Sequence, residues 1–319
     1  MLWEDDTMAS LENVSYTKIK SRKRRAGSDV VFNVFLYVLL GLFAIVIIYP
    51  MLNVVAYSFS YGFNAVRERV HIFPNKFTFE SYKTILFERE NIGKAAVATI
   101  SRTVIGTVTG VFANALLAFI VSRKKFYFRS ALSLFWIITI YAQGGLVTTF
   151  YLYRKMGLTN SFWVYIIPGI VSGMYVLVMR TYMKSIPDSL EEAAQLEGAG
   201  YMRIFWSVIS PLCRPVYAAI ALFIATTHWN SWFDALLYNK FKPEYSTLQF
   251  EVMKIMTSVV AIGTNVTNVT YVHQPQPLEI APITLRSALA VLTMLPLLII
   301  GLLLQKYYVS GLEIRGVKD

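Results

Sequence analysis

Long apolar stretches, separated by shorter polar segments, constrain the fold of this 319-residue chain more than any other feature. About 20 apolar residues cross a bilayer as a helix. Hydrophobic residues make up 55% of the chain and charged residues only 15%, whereas soluble domains average about 25% charged residues. The pattern predicts an all-α membrane protein with six transmembrane helices. The predicted spans are residues 31–59, 95–121, 131–153, 162–182, 216–237 and 287–308.

The basic residues predict which side of the membrane each connection faces. Lysines and arginines cluster at 18–25, before the first span, and again at 123–129, between the second and third spans. Because basic connections stay in the cytoplasm, both termini are predicted to be cytoplasmic. The first apolar run, 30–64, is too long for a cleaved signal peptide. Arg102 lies near the outer end of the second span and is expected to snorkel to the interface.

This topology divides the chain into three parts. A basic cytoplasmic tail, 1–29, precedes a six-span domain, 30–308, and an eleven-residue cytoplasmic tail, 309–319, follows it. Within the domain, loop 184–215 is expected in the cytoplasm. Loop 238–286 is expected outside, and its prolines predict a partly irregular structure.

The cytoplasmic loop 184–215 is longer and more apolar than a connection between two spans needs to be. Ser189 and Glu192 have capping-box spacing, which predicts a helix that begins there. Leu190, Ala193 and Ala194 fall on one face of that helix. Since the two alanines let another backbone come close, the loop is expected to dock onto a partner surface.

Glycines and prolines predict that a second short helix follows the first. Gly198 and Gly200 can take the positive φ that ends a helix. A helix is expected over 201–209, and Pro211 and Pro215 are expected to end it. The loop is therefore predicted to be a helix-turn-helix outside the membrane.

Part of this loop resembles a family motif. Glu192-Ala193-Ala194, then Gly198 and Pro211, are similar to the EAA loop of ABC importer permeases. The match departs in two details, because Glu197 stands where Asp is commoner and Val208-Ile209-Ser210-Pro211 replaces Ile-x-Leu-Pro. In that family the loop carries a coupling helix that fits a groove of the ATPase subunit. The resemblance implies that the ATPase-coupling residues are Leu190, Glu191, Glu192, Ala193, Ala194, Glu197, Gly198 and Pro211.

Other segments extend the resemblance to maltose-type carbohydrate permeases, and their opening residues are most similar to the complex-oligosaccharide branch. The matches run from about residue 29 to the end of the chain. They imply the type I ABC importer permease fold. The matching segments include Phe32-Asn33, Tyr49-Pro50, 118–123 with Phe126, Gly157-Leu158, Trp229-Asn230 with Phe233, and Gly311-Leu312 with Gly316.

The sequence lacks the residue patterns of common enzyme sites. No G-x-x-x-x-G-K-[ST] segment is present to hold ATP phosphates. The three histidines, His71, His228 and His273, do not have metal-ligand spacing. The single cysteine, Cys213, is interpreted as a small buried thiol. We therefore expect a non-catalytic subunit that binds no cofactor or metal itself.

The resemblance implies a set of partners. ATP and Mg are expected on a partner ATPase, present as two subunits. A second homologous permease, an extracytoplasmic solute-binding protein and the lipid bilayer complete the set. The net charge of +11 is dispersed beside the spans, so nucleic acid is not expected.

Polar and aromatic side chains inside the spans are candidates for a solute pathway. A charge at the bilayer centre is unfavourable by about 2.5–3.5 kcal/mol, so such groups face a cavity or an interface. Sugars bind through aromatic faces and through hydrogen bonds to amides and carboxylates. The alternative is structural, because polar side chains also bridge helices. The candidates are Tyr141, Gln143, His228, Trp229, Asn230 and Asp234.

The sequence thus favours the permease subunit of an ATP-driven importer in a bacterial cytoplasmic membrane, with an oligosaccharide as the cargo implied by resemblance. Two alternatives remain open at this stage. One is a permease for another solute, such as an amino acid or a polyamine; separately from the solute, a homodimeric permease is an alternative to pairing with a second permease. The other is a membrane scaffold or channel without an energy source, in which the helix at 189–198 would be dispensable.

Overall fold

The structure is a computed structural model that describes residues 27–88, 90–142, 144–265 and 281–313. These residues are nearly all helical, and the β-pairing within them is an isolated antiparallel bridge between Ser60 and Phe77. The chain divides into two compact units, residues 1–51 and 52–319. Most of the two predicted tails lies outside the described residues, and so does Gln143.

The described part of the first unit belongs to one long helix, α1 (Gly27–Ser58), with Pro50 in its interior. Its apolar side chains are exposed on every side, as Val31, Phe35 and Val46 illustrate. A helix that is apolar all round is typical of a membrane span. The region Val31–Ser58 therefore agrees with the first span that the sequence predicts.

The second unit contains the remaining helices, most of them shorter than the predicted spans. Short 3₁₀ or π turns extend or precede several of them, at Thr84–Glu88, Phe162–Tyr165, Ile167–Gly169, Phe205–Ile209 and Pro243–Tyr245. The helices are α2 (Gly62–Arg67), α3 (Glu80–Lys83), α4 (Glu90–Ser122), α5 (Arg129–Tyr141), α6 (Gly145–Lys155), α7 (Gly173–Lys184), α8 (Asp188–Leu196), α9 (Tyr201–Ile204), α10 (Ser210–Leu212), α11 (Arg214–Asn230), α12 (Phe233–Tyr238), α13 (Leu248–Asn265) and α14 (Pro282–Glu313).

Length and hydropathy identify the candidate spans among the described residues. Three helical regions, Val31–Ser58, Asn91–Ser122 and Pro282–Leu302, are long and apolar enough to cross a membrane alone. Three bent pairs pass the same test together, namely α5 with α6, Phe162–Gly169 with α7, and Tyr201–Leu212 with α11. The count is three, or up to six if each pair is one span, and six is the number predicted from the sequence.

The third predicted span, 131–153, is not a straight helix. Helices α5 and α6 meet at 113°. Gly145 begins α6 with φ +75°, a conformation that residues with a Cβ rarely adopt. The apolar content of this stretch predicts a span, but its glycines break the helix.

The fifth span and the outer loop also differ from the prediction. Helix α11 ends at Asn230 rather than near residue 237, because Ser231 has extended backbone angles. The loop predicted over 238–286 contains an 18-residue helix, α13, and α14 begins at Pro282 rather than at 287. Proline suits the first turn of a helix, since its missing N–H has no partner there.

Helix α4 is central to the second unit. It packs against α7 and α11 over much of its length and also contacts α5 and α13. Glycine permits one close contact, because a Cβ built on Gly106 would lie 2.3 Å from Nε2 of His228 in α11. A displacement of α4 would therefore also displace its neighbours α7 and α11.

Candidate functional site

The predicted helix of the cytoplasmic loop is present as α8, but its beginning differs from the prediction. The helix begins at Asp188, Pro187 occupies the N-cap position, and no side chain caps the helix. Ser189 is therefore not an N-cap, and the predicted capping box is wrong. Asp188 in the first turn interacts favourably with the positive end of the helix dipole instead.

The end of α8 confirms one predicted glycine and corrects the other. Gly198 has φ +81°, whereas Gly200 has φ −72° and precedes α9. The amide of Gly198 donates to the carbonyl of Gln195 at 3.0 Å, and that of Ala199 to the carbonyl of Ala194 at 2.9 Å. This pair of bonds is a Schellman motif, which fixes the direction in which the chain leaves α8.

The second helical segment is longer than predicted. It runs from Tyr201 to Leu212 through the π turn Phe205–Ile209, and it meets α11 at 82°. Pro211 does not end it, because this proline lies in the first turn of α10, where its missing N–H is tolerated. The bend comes at Cys213, and Pro215 starts α11.

This loop packs against the end of α4 and along α7. The buried side chains of the second segment form one apolar cluster with residues of α4 and α7, and Ala194 and Ala199 pack against its edge. Burial of this cluster ties the loop to the end of α4 and to α7. The buried members include Ala115, Ala118, Phe119, Val176, Met179, Met183, Ile204, Phe205, Ile209 and Cys213.

The opposite face of α8 is open. Leu196 is 90% exposed and Leu190 is 43% exposed. Glu192, Ala193 and Glu197 are exposed beside them. Exposed leucines flanked by carboxylates suit a protein partner with an apolar groove and basic rim.

Glu191 differs from its neighbour Glu192. Its side chain is only 14% exposed and forms an ion pair with Arg123, just beyond the end of α4. Lys124 pairs with Asp188, and Lys125 Nζ donates to Gln195 Oε1 at 3.1 Å. The hydrogen bond from Lys124 lowers the pKa of Asp188. The basic connection after α4, predicted only as a topology signal, thus contacts α8 directly.

The sequence and fold of this chain resemble those of known proteins. No family model matches the chain. A chain of a bacterial ABC transporter involved in the import of the acidic polysaccharide alginate superposes with TM-score 0.78 and 27% identity, covering 89% of this chain and 98% of that one. The maltodextrin transport system permease protein MalD of Streptococcus pneumoniae is 31% identical over 285 residues, covering 88% of this chain and 93% of MalD.

The chain belongs to the carbohydrate ABC-importer permease family. A further relative is the polygalacturonan/rhamnogalacturonan transport system permease protein YtcP of Bacillus subtilis, 27% identical over 290 residues, or 90% of this chain and 98% of YtcP. The resemblance drawn from the loop motif is confirmed. This permease is a multi-pass protein of a bacterial cytoplasmic membrane.

Three of the predicted pathway residues make contacts inside the permease. Trp229 is buried and its Nε1 donates to the carbonyl of Thr293 at 2.7 Å. His228 is buried beside Gly106 of α4. Asp234 forms an ion pair with Arg102. In this conformation these side chains hold helices together.

Arg102 is the charged residue that the sequence placed wrongly. Only 2% of its surface is exposed, so it does not snorkel to an interface. Its guanidinium pairs with Asp234 and lies 4.2 Å from the ring centre of Tyr165. The Nε atom is buried without a hydrogen-bond partner. A lone arginine within an apolar run was the available signal for a buried partner.

Of the three remaining pathway candidates, Gln143 lies outside the described residues and the other two are exposed. Tyr141 is 84% exposed at the end of α5, and Asn230 is exposed at the end of α11. Phe223 and Thr227, which the sequence analysis did not select, are exposed on the same face of α11 as Asn230. Spacing of four and three residues places these three side chains in one row. The structure therefore brings an aromatic ring, a hydroxyl and an amide together on one open face.

Proposed function

We propose that this permease imports an oligosaccharide and couples that transport to a separate ATPase through α8. The observation that carries the proposal is the two-sided character of α8. One side is tied to the end of α4 and to α7, and the other side leaves Leu190, Leu196 and Glu192 exposed. An exposed helix face joined tightly to spans suits the transmission of movement.

The coupling mechanism requires a difference in affinity between two states. If the ATPase dimer holds α8 more tightly when closed around ATP than when open, closure shifts the permease population by that difference. ATP and Mg then act on the partner alone, and this chain remains non-catalytic. The complete importer contains a second permease, two ATPase subunits and a solute-binding protein.

The oligosaccharide cargo is supported by the names of the relatives. MalD is named for maltodextrin, and YtcP is named for polygalacturonan and rhamnogalacturonan. We place this chain's share of the sugar pathway on the open row formed by Phe223, Thr227 and Asn230. The ring can stack on sugar C–H faces, and the amide can bond to hydroxyls.

Purification of the tagged chain from membranes of its native host tests the assembly. We expect an ATPase and a second permease to co-purify, identified by mass spectrometry. The assembly is then reconstituted in liposomes, and the solute-binding protein encoded nearby is used to screen oligosaccharides for ATP-dependent uptake. Recovery of the intact chain alone from such membranes would favour a scaffold or channel without an energy source.

A further inference from the structure

The guanidinium of Arg123 is held from several sides. Arg123 follows the last residue of α4, and its side chain is only 11% exposed. It pairs with Glu191, its Nε donates to Ser122 Oγ at 3.0 Å, and it lies 4.8 Å from the ring centre of Phe119. Three of these four residues belong to α4 or directly follow it. Arg123 therefore holds Glu191 in a fixed position relative to the end of α4.

The same contacts continue along α8. Glu191 Oε1 accepts a hydrogen bond from Gln195 Nε2 at 3.1 Å. Gln195 in turn accepts from Lys125 Nζ at 3.1 Å. Arg123 and Lys125 thus contact α8 at two positions one helical turn apart, Glu191 and Gln195. Two such contacts restrain rotation of α8 about its own axis.

The apolar contacts of α8 do not supply the same restraint. Its contribution to the neighbouring cluster is Ala194, with Ala199 just beyond the helix. Alanine makes few directional contacts, so a helix held by alanines alone can tilt or rotate. The shielded Arg123–Glu191 pair adds direction, because a planar guanidinium fits a carboxylate in a restricted geometry.

A neighbouring pair provides a natural comparison. Lys124 and Asp188 also join the connection to α8, but their side chains are 76% and 53% exposed. Exposed ion pairs contribute little to stability, because water screens them. The Arg123–Glu191 and Lys124–Asp188 pairs both join the connection after α4 to α8, but only the first is shielded from water.

We infer that Arg123 is a positioning residue that links α8 to α4, so that the Arg123–Glu191 pair transmits movement of α8 into the second span. The inference rests on the proposed coupling through α8. Its structural route is continuous, since α4 carries both Gly106, which contacts His228 of α11, and Arg102, which pairs with Asp234. Movement at the cytoplasmic end of α4 therefore reaches the outer half of the bundle.

A charge exchange tests this role. The variants Arg123→Glu and Glu191→Arg, and the double exchange, are purified with the native partners and reconstituted in liposomes. ATP hydrolysis and sugar uptake are measured together. We expect both single variants to lose about 5-fold or more of their uptake per ATP, and Arg123→Glu to keep its partners and its ATP hydrolysis. We expect the double exchange to recover most of that ratio.

Lys124→Glu serves as the matched control, because it reverses a charge on the next residue of the same connection. Its uptake per ATP should remain close to that of the unmodified assembly. Normal coupling in Arg123→Glu, at equal assembly, would overturn the inference. So would loss of partner binding in both Arg123→Glu and the milder Arg123→Gln, since the pair would then be only a structural contact.

The test separates this inference from the proposed function. Absence of ATP-driven uptake in the unmodified, fully assembled complex rejects coupling through α8 and the role of Arg123 together. Normal uptake in the unmodified complex with unchanged coupling in every variant rejects Arg123 alone.

Discussion

At the scale of single residues, the buried Arg102 has Asp234 as its ion-pair partner. Arg102 is buried, and its Nε already has no hydrogen-bond partner. We expect Asp234→Ala to destabilise the permease by about 3 kcal/mol or more, because it leaves an uncompensated buried charge. Thermal denaturation followed by size-exclusion chromatography in detergent measures the loss. Glu244→Ala is the control, since Glu244 is 56% exposed and paired with Lys242; an equal loss in both variants would contradict this account.

The contact between Gly106 and His228 gives a second prediction at this scale. A Cβ at residue 106 would lie 2.3 Å from the imidazole Nε2. We expect Gly106→Ala to destabilise the permease by about 1–3 kcal/mol, since the ring must move in a packed region. Gly93→Ala in the same helix is the control, because nothing lies within 4 Å of the added methyl group. The double variant Gly106→Ala/His228→Ala, which removes the imidazole ring, should recover much of the stability that Gly106→Ala loses.

Sequence reasoning at the residue scale succeeded where the signal was local. The positive φ of Gly198 was predicted because few other residues end a helix in that way. The Arg102–Asp234 pair joins residues 132 positions apart, and no spacing rule connects them. A single sequence therefore placed the arginine at an interface instead of beside its partner.

Among the elements, α8 depends on the turn that ends it. We expect Gly198→Asp to abolish coupling while leaving membrane insertion intact. At φ +81° an L-residue is disfavoured by about 1–2 kcal/mol, which disrupts the Schellman motif. ATP-dependent uptake and the amount of protein in the membrane measure the two effects. Gly200→Asp is the control, because its φ of −72° suits any residue; normal uptake in Gly198→Asp would reject the prediction.

The elements that the sequence missed share a physical cause. Helix α13 carries Leu248, Val252 and Ile255 at helical spacing, but Glu251 and Lys254 lie between them and make the stretch look like a polar loop. The break between α5 and α6 went unnoticed because a hydropathy count does not register a glycine's backbone angles. Apolar length predicts that a stretch is buried or in lipid, but not where its helix bends.

For the whole molecule, the exposed face of α8 predicts where the permease binds the ATPase. Leu196 is 90% exposed, so Leu196→Asp should leave the folded permease unchanged. We expect it to weaken ATPase binding by about 2 kcal/mol, because a charge replaces an apolar contact in a groove. Retention of the ATPase during purification is the measurement. Phe241→Asp is the control, since Phe241 is 83% exposed in the segment after α12, far along the chain from α8; equal retention in both would exclude Leu196 from the interface.

Two features of the whole molecule were predictable, namely the presence of several apolar spans and the family, because a sequence carries the signals for both directly. Apolar length gave the spans, and the motif at Glu192–Gly198 gave the family. The inward packing of His228, Trp229 and Asp234 was not predictable, since a polar residue in a span can face a cavity or a neighbouring helix equally well.

The adjacent residues Glu191 and Glu192 have a consequence for genetics. Glu191 is shielded by Arg123 of its own chain, whereas Glu192 is exposed. Second-site suppressors of a harmful Glu191 substitution should therefore arise within the same gene, at or near codon 123. Suppressors of a harmful Glu192 substitution should instead arise in the gene for the ATPase. A selection for growth on the transported sugar, followed by sequencing of both genes, would show whether two neighbouring codons differ in this way.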